Sequence, residues 1–151
     1  MQTPSVRAAG VVLRGSQVLL HRRLGDAIWA LPGGRVESGE SAAEAVVREF
    51  QEELRCAVKC GELLYVAENF FPHAGASVHE VGLYFLVSFE ASPAPMRELS
   101  AFRGAEPALE FQWFERGDLA SANVRPLFLV NALASARLEF QHVVEHEPAG
   151  L

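Results

Sequence analysis

Glu49, Glu52 and Glu53 crowd the second half of a stretch, residues 41–54, that is rich in Ala, Val and Glu and contains no Gly or Pro. On a helix of roughly 3.6 residues per turn, this i, i+3, i+4 spacing places the carboxylates on one face. Like charges so placed oppose helix formation by about 0.2–0.5 kcal/mol per pair, and close approach raises a carboxylate pKa. A hard divalent cation reverses that penalty. Mg2+ takes oxygen ligands and is commonly shared between one or two protein carboxylates and the phosphate oxygens of a substrate. The alternative is a solvated acidic face on which Arg48 bridges to Glu44 or Glu52 at i±4. The residues ahead of the helix favour the cation.

The elements that must position these carboxylates are legible nearby. Ser41 with Glu44 three places on predicts a capping box at the start of the helix. Ala43, Val46, Val47, Phe50 and Leu54 form an apolar stripe expected to pack inward. Before the helix runs Pro32-Gly33-Gly34, where two glycines let backbone approach a ligand closely. Trp29, just ahead of that turn, is expected to be a packing anchor more than a stacking surface for a base.

Read together, the stretch is Gly34, five residues, Glu40, seven residues, Arg48-Glu49-Phe50, one residue, Glu52-Glu53. It closely resembles the signature of the Nudix hydrolases (the MutT-like family). The departure is Arg55, where that signature carries a glycine able to leave the helix with φ > 0. The resemblance implies an α/β chain with the Nudix fold, a mixed β-sheet sandwiched between α-helices. It implies a metal site of Glu49, Glu52, Glu53 and the Gly33 carbonyl, occupied by Mg2+ or Mn2+. Gly34, Glu40 and Arg48 are its scaffold, with the arginine holding loop against helix and orienting the acidic cluster. The implied reaction is hydrolysis of a phosphoanhydride in a nucleoside diphosphate linked to another group. Glu52 is the first choice for the base that accepts a proton from the attacking water, and Glu80 the second. Glu53 and Arg48 complete the catalytic set.

With 151 residues, half hydrophobic and about a fifth charged, the chain reads as one domain, its core spanning about residues 6–136. A net charge of −6 argues against duplex nucleic acid as a partner, while leaving a small phosphorylated substrate open. Residues 1–15 lack a secretory apolar core, and no run approaches the roughly 20 apolar residues of a membrane span, so a cytoplasmic protein is expected. Cys56 and Cys60 have no second Cys/His pair with zinc-site spacing and are expected to be reduced structural thiols. A homodimer stays open.

Strands are expected over residues 6–13 and 17–23, with a turn at 14–17. Arg22 and Arg23 end the second, and only one can face a given cleft, where it would meet a phosphate or base. Residues 57–69 read as a strand interrupted near Gly61, and Phe70 to Gly75 as a turn. Phe70 and Phe71 are candidates to stack on a nucleobase, against the alternative of burial in the core. By resemblance, Pro72 falls where the ADP-ribose-cleaving subgroup tends to carry a proline. The near-continuous apolar run 81–89 predicts a central strand covered on both faces, with His79 and Glu80 at its start.

Residues 91–107 read as a long connection that could form a lid or a surface insertion, carrying Glu98 and Glu106 as fallback bases. Residues 108–114 predict a strand with Trp113 in the core. Asp118 is expected to cap a helical segment, and 126–136 to form a helix with Leu127, Val130, Leu133 and Ala134 on one side. From about Val143 no core pattern is visible and fraying is expected. Nucleoside triphosphates, ADP-ribose and dinucleoside polyphosphates all fit the implied chemistry. The competing readings are a non-catalytic nucleotide-binding module of the same fold, and an interaction domain whose acidic helix faces water.

Overall fold

The structure, a computed structural model, describes residues 3–148. In chain order it contains β1 (Ser5–Val11), β2 (Leu13–Arg14), β3 (Gln17–Arg23), β4 (Gly33–Arg35), α1 (Ala42–Leu54), β5 (Val58–His73), β6 (Ala76–Phe89), β7 (Phe102–Arg103), β8 (Leu109–Glu115), α2 (Phe128–Ala134) and β9 (Gln141–His146). A mixed sheet has the order β4-β1-β6-β5-β9, with β1 parallel to β6 and β5 parallel to β9. Beside it lies an antiparallel sheet of order β2-β3-β8-β7.

Strand alternation sends side chains of one strand into two cores. Ala8 and Val12 of the β1 region join Ala45, Val46, Phe50 and Leu54 of α1. Ala9 and Val11 point the other way, to Leu129, Ala132 and Leu133 of α2. In β3, Leu19 goes with α1, and Val18 and Leu20 with α2. The expectation of a central strand covered on both faces is met in β6, which runs between β1 and β5 and sends Tyr84 and Leu86 into one core and Phe85 and Val87 into the other. Gly10 brings α1 close to the sheet, since a Cβ there would stand 2.8 Å from Val87 and 2.9 Å from Phe50.

Helix α1 begins as expected. Ser41 Oγ accepts the Glu44 N–H, and Glu44 returns a bond to the Ser41 N–H. Its buried face is rotated from the expected stripe, however. Ala45, Val46, Phe50, Glu53 and Leu54 are buried, while Val47 is 40% exposed. Packing against β1 turns the helix so that Glu53 is carried inward with Leu54. At its end Arg55 adopts φ 55°, ψ 34° and donates its N–H to Gln51. The chain therefore leaves the helix in the left-handed conformation that glycine adopts without a Cβ penalty. Arg55→Gly is expected to stabilise the protein by about 1 kcal/mol, a rise of about 2–4 °C in melting temperature.

Several sequence expectations are corrected. Phe70 and Phe71 belong to β5, because the hairpin to β6 turns only at Ala74 and Gly75. The register shifts in β5 fall between Cys60 and Tyr65, at the interruption expected near Gly61. Residues 91–107 form a short 3-10 turn, Ala94–Arg97, and strand β7. That turn is pinned by Trp113 Nε1 donating to the Pro95 carbonyl and by Arg14 donating to the Met96 and Glu98 carbonyls. Asp118 lies inside a 3-10 turn, Arg116–Ser121, and makes no cap. Helix α2 is shorter than expected and buries Leu129, Ala132 and Leu133, with Leu127 exposed. Residues 141–146 pair with β5 instead of fraying, and Glu145 accepts the Leu127 and Phe128 N–H groups at 2.8 and 2.7 Å. The last part of that tail, residues 149–151, lies outside the described residues.

Candidate active site

Strand β4 lays Gly33 and Gly34 against Ala9 and Ala8 of β1, directly in front of α1. A Cβ on Gly33 would collide with the Ala8 carbonyl oxygen, and one on Gly34 with the Glu49 carboxylate. The two glycines thus let backbone touch both the sheet and the acidic helix. No other residue type leaves that room.

Behind the carboxylates, Arg48 ties the loop to the helix. Its guanidinium donates to both Glu40 oxygens at 2.6 and 3.0 Å, to Glu49 at 2.9 Å and to the Arg35 carbonyl at 3.1 Å. Glu52 accepts a longer bond from it at 3.3 Å. Bidentate guanidinium–carboxylate pairs are the strong, directional kind. Arg48 holds the Glu40 carboxyl near 2, far below the ordinary carboxylate range.

Glu53 is only 5% exposed. Burial pushes its carboxyl up to about 7, and burial also raises Glu49, whose carboxyl can share a proton with Glu53. His21 of β3 stands 2.8 Å from Glu53 through Nδ1 and is itself driven down to about 3 by burial. The pair therefore carries a neutral imidazole beside a carboxyl that ionises reluctantly. At the end of α1, the Glu53 carbonyl accepts the Ala105 and Glu106 N–H groups at 2.8 and 3.3 Å, which brings Glu106 to the same cleft.

The cleft has a volume of about 500 Å³ and is lined by Gly33, Gly34, Glu49, Glu52, Glu53 and Glu106, facing Arg22 and Arg23. A buried and a partly buried carboxylate close enough to share a proton, with backbone pressed against one of them, suit a divalent cation: replacing that proton with a cation removes the cost of ionising both. The third carboxylate is peripheral. Glu52 is 57% exposed on its side chain, and no three His, Cys, Asp or Glu side chains close around one point among the described residues.

Arg22 and Arg23 both line the cleft, against the expectation that only one would. Arg22 pairs with Glu110 at 3.0 Å and covers the Trp29 ring at 4.4 Å, whereas Arg23 shares the His21 face and makes no ion pair among the described residues. Trp29 is buried against Phe114 and serves as the packing anchor expected of it.

Glu80 is not brought to the acidic cluster. It lines an adjoining cavity of about 260 Å³ with Phe71, Asn69, Tyr84 and Arg125. Burial raises its carboxyl above the usual range. Phe70 is sandwiched between the His79 and His146 rings at 4.3 and 4.5 Å, so its faces are already occupied. Glu98 is far from the cleft, held by its carbonyl to Arg14. Sequence reasoning passed over His21, Arg7 and Asn69. Each had a signal: a polar residue closing or interrupting an apolar strand. Arg7, which donates to the Leu31 carbonyl, lines both the cleft and the adjoining cavity.

Comparison with known proteins gives this arrangement a context. A family model described as NUDIX domain matches residues 4–130. An ADP-ribose pyrophosphatase of Methanocaldococcus jannaschii is 34% identical over 87 residues, 56% of this chain and 50% of that protein. A CTP pyrophosphohydrolase of Escherichia coli is 35% identical over 75 residues, 47% of this chain and 54% of its own. The matched stretch thus spans about half the length of these curated relatives. Among solved structures, a MutT NUDIX hydrolase from Burkholderia pseudomallei superposes with a TM-score of 0.68 at 27% identity, covering 90% of this chain and all of that one.

Proposed function

The chain belongs to the NUDIX domain family, and from that premise we propose that it hydrolyses a phosphoanhydride bond in a nucleoside diphosphate linked to another group, with a divalent cation as cofactor. The observation that carries this reading is the pairing of buried Glu53 with partly buried Glu49, backed by Arg48 and fronted by Gly34, opening on a cleft. Mg2+ or Mn2+ held by Glu49, Glu53, Glu52 and the Gly33 carbonyl would neutralise phosphate oxygens and lower the pKa of a water. Arg23, on the cleft face of β3, is placed to meet a phosphate. Glu52 is the most exposed of the three helix carboxylates and is assigned the proton of the attacking water, help typically worth about 10²–10⁴-fold. Glu106 faces the same cleft and replaces Glu80 as the alternative base. The relatives named for ADP-ribose and CTP support a nucleotide-type substrate.

The test is a panel of nucleoside triphosphates, ADP-ribose and dinucleoside polyphosphates with Mg2+ or Mn2+, products identified by mass. Failure to cleave any of them would overturn the proposal. A pH dependence accompanies it. The Glu53 carboxyl is raised in the folded protein from 4.5 to about 7, so the folded state holds a proton in that window that the unfolded chain has released. Its contribution to cation-free stability is full below 4.5 and is lost as pH rises through about 7. His21 acts oppositely: its contribution is present above 6.5 and is lost as pH falls toward about 3. A cation that needs Glu53 ionised competes with the proton. The rise in melting temperature on adding Mn2+ should be small near about pH 5 and grow to a plateau above about pH 7. A pH-independent rise would show that Glu53 is not a ligand.

A further inference from the structure

We propose that the cavity adjoining the acidic cleft receives the nucleobase of the substrate, and that Asn69 is the residue that reads its hydrogen-bonding edge. This rests on the hydrolase reading for the identity of the ligand, and on separate observations for the residue. Asn69 is 3% exposed, and neither its carboxamide oxygen nor its nitrogen has a hydrogen-bond partner among the described residues. A buried amide left unpaired on both sides is costly, and native proteins rarely carry one without a reason. Asn69 lies on β5 opposite Glu80 of β6 and Glu145 of β9, in a row across one face of the mixed sheet. Glu145 is already engaged by the first N–H groups of the α2 region. Among the described residues Glu80 makes no side-chain hydrogen bond or ion pair, so it and the amide are groups free to meet a ligand.

The surroundings match a flat heteroaromatic ring. Phe71 and Tyr84 line the cavity with Leu31 and Ile28, and the Tyr84 ring is laid back over Gly82, where a Cβ would stand 2.6 Å from it. Only glycine at position 82 lets that ring form the floor. The Tyr84 hydroxyl makes no well-formed hydrogen bond but sits beside Asn69, where it can turn to the carboxamide until a ligand takes its place. A carboxamide offers one acceptor and two donor hydrogens, the complement of a base edge that sets an acceptor beside an N–H group. Sites built to bond such an edge reject analogues that lack it, because the buried groups are then left unpaired. The cavity shares Arg7, Asp26, Ile28, Ala30 and His73 with the cleft, so one ligand can reach from carboxylates to carboxamide.

The experiment uses Asn69→Leu and Asn69→Asp. In the ligand-free protein Asn69→Leu should melt at a higher temperature than the parent, since it removes two unsatisfied polar atoms without opening a void. With ATP, GTP, CTP and UTP, the parent should rank the bases through KM. Asn69→Leu should flatten that ranking, raising KM for the preferred base by about 10–100-fold with kcat held within a few-fold. Asn69→Asp, which loses the donors, should reorder it. Metal-free melting shifts with AMP, GMP, CMP and UMP give the same ranking without catalysis. A base ranking unchanged in both variants overturns the inference even if hydrolysis is intact. Conversely, base-dependent shifts that Asn69→Leu abolishes, in a protein that cleaves nothing, uphold it while the hydrolase reading falls.

Discussion

Glu53→Gln is expected to reduce divalent-dependent hydrolysis by about 10³-fold or more, the loss of several kcal/mol of charge stabilisation at the transition state. The fold should survive, because glutamine keeps the size of the side chain and its carboxamide can accept from or donate to His21 Nδ1, whichever tautomer is present. Cation-free stability should not fall, and its decline between 4.5 and about 7 should disappear, since the group that releases a proton there is gone. The stabilisation that Mn2+ gives the parent, about 2.7 kcal/mol at one hundred times Kd, should vanish with it. Turnover near the parent level, with the metal response retained, would remove Glu53 from the site.

Arg48→Lys tests the scaffold with charge held constant. A lysine ammonium cannot grip both Glu40 oxygens and still reach Glu49, Glu52 and the Arg35 carbonyl, which one planar guanidinium does here. Groups that orient metal ligands typically cost 10–100-fold in affinity or activity when changed, and about that loss in Mn2+ affinity is expected. The change should appear in metal titrations followed by electron paramagnetic resonance, and Glu40 should lose the strong depression of its carboxyl, visible by NMR titration. An unaltered Mn2+ affinity would mean the arginine merely packs.

The acidic helix, its capping box and the pairing of Arg48 with Glu40 were legible because they depend on neighbours within a few turns of chain. The glycine pair was legible for the same reason. What lay hidden was supplied by partners distant in sequence. His21 meets Glu53 only because β3 is stitched to β8 and bridged to Ala30, and no spacing in the chain announces that. The rotated face of α1 followed from the position of β1, which a stripe count cannot see. Glu80 and Glu106 illustrate the same limit. Both were plausible bases, and it is the anchoring of 105–106 on the Glu53 carbonyl that separates them. Residues 141–146 carried too few apolar side chains to announce a strand. They are held by β5 and by the carboxylate of Glu145 more than by a buried stripe.

The parallel pairing of β1 with β6, Ser5 opposite Glu80 and Val11 opposite Leu86, joins the first strand to the middle of the chain. Such non-local contacts require loop closure before they contribute, which makes them slow steps in folding. Strand β1 is also what β4 and α1 rest on, and Val87 of β6 packs in the same core as α1, so the pairing with β6 backs the surface on which glycines and carboxylates meet. During refolding, helical signal should therefore appear before the chain responds to manganese, and the arrival of cation binding marks the completion of the sheet.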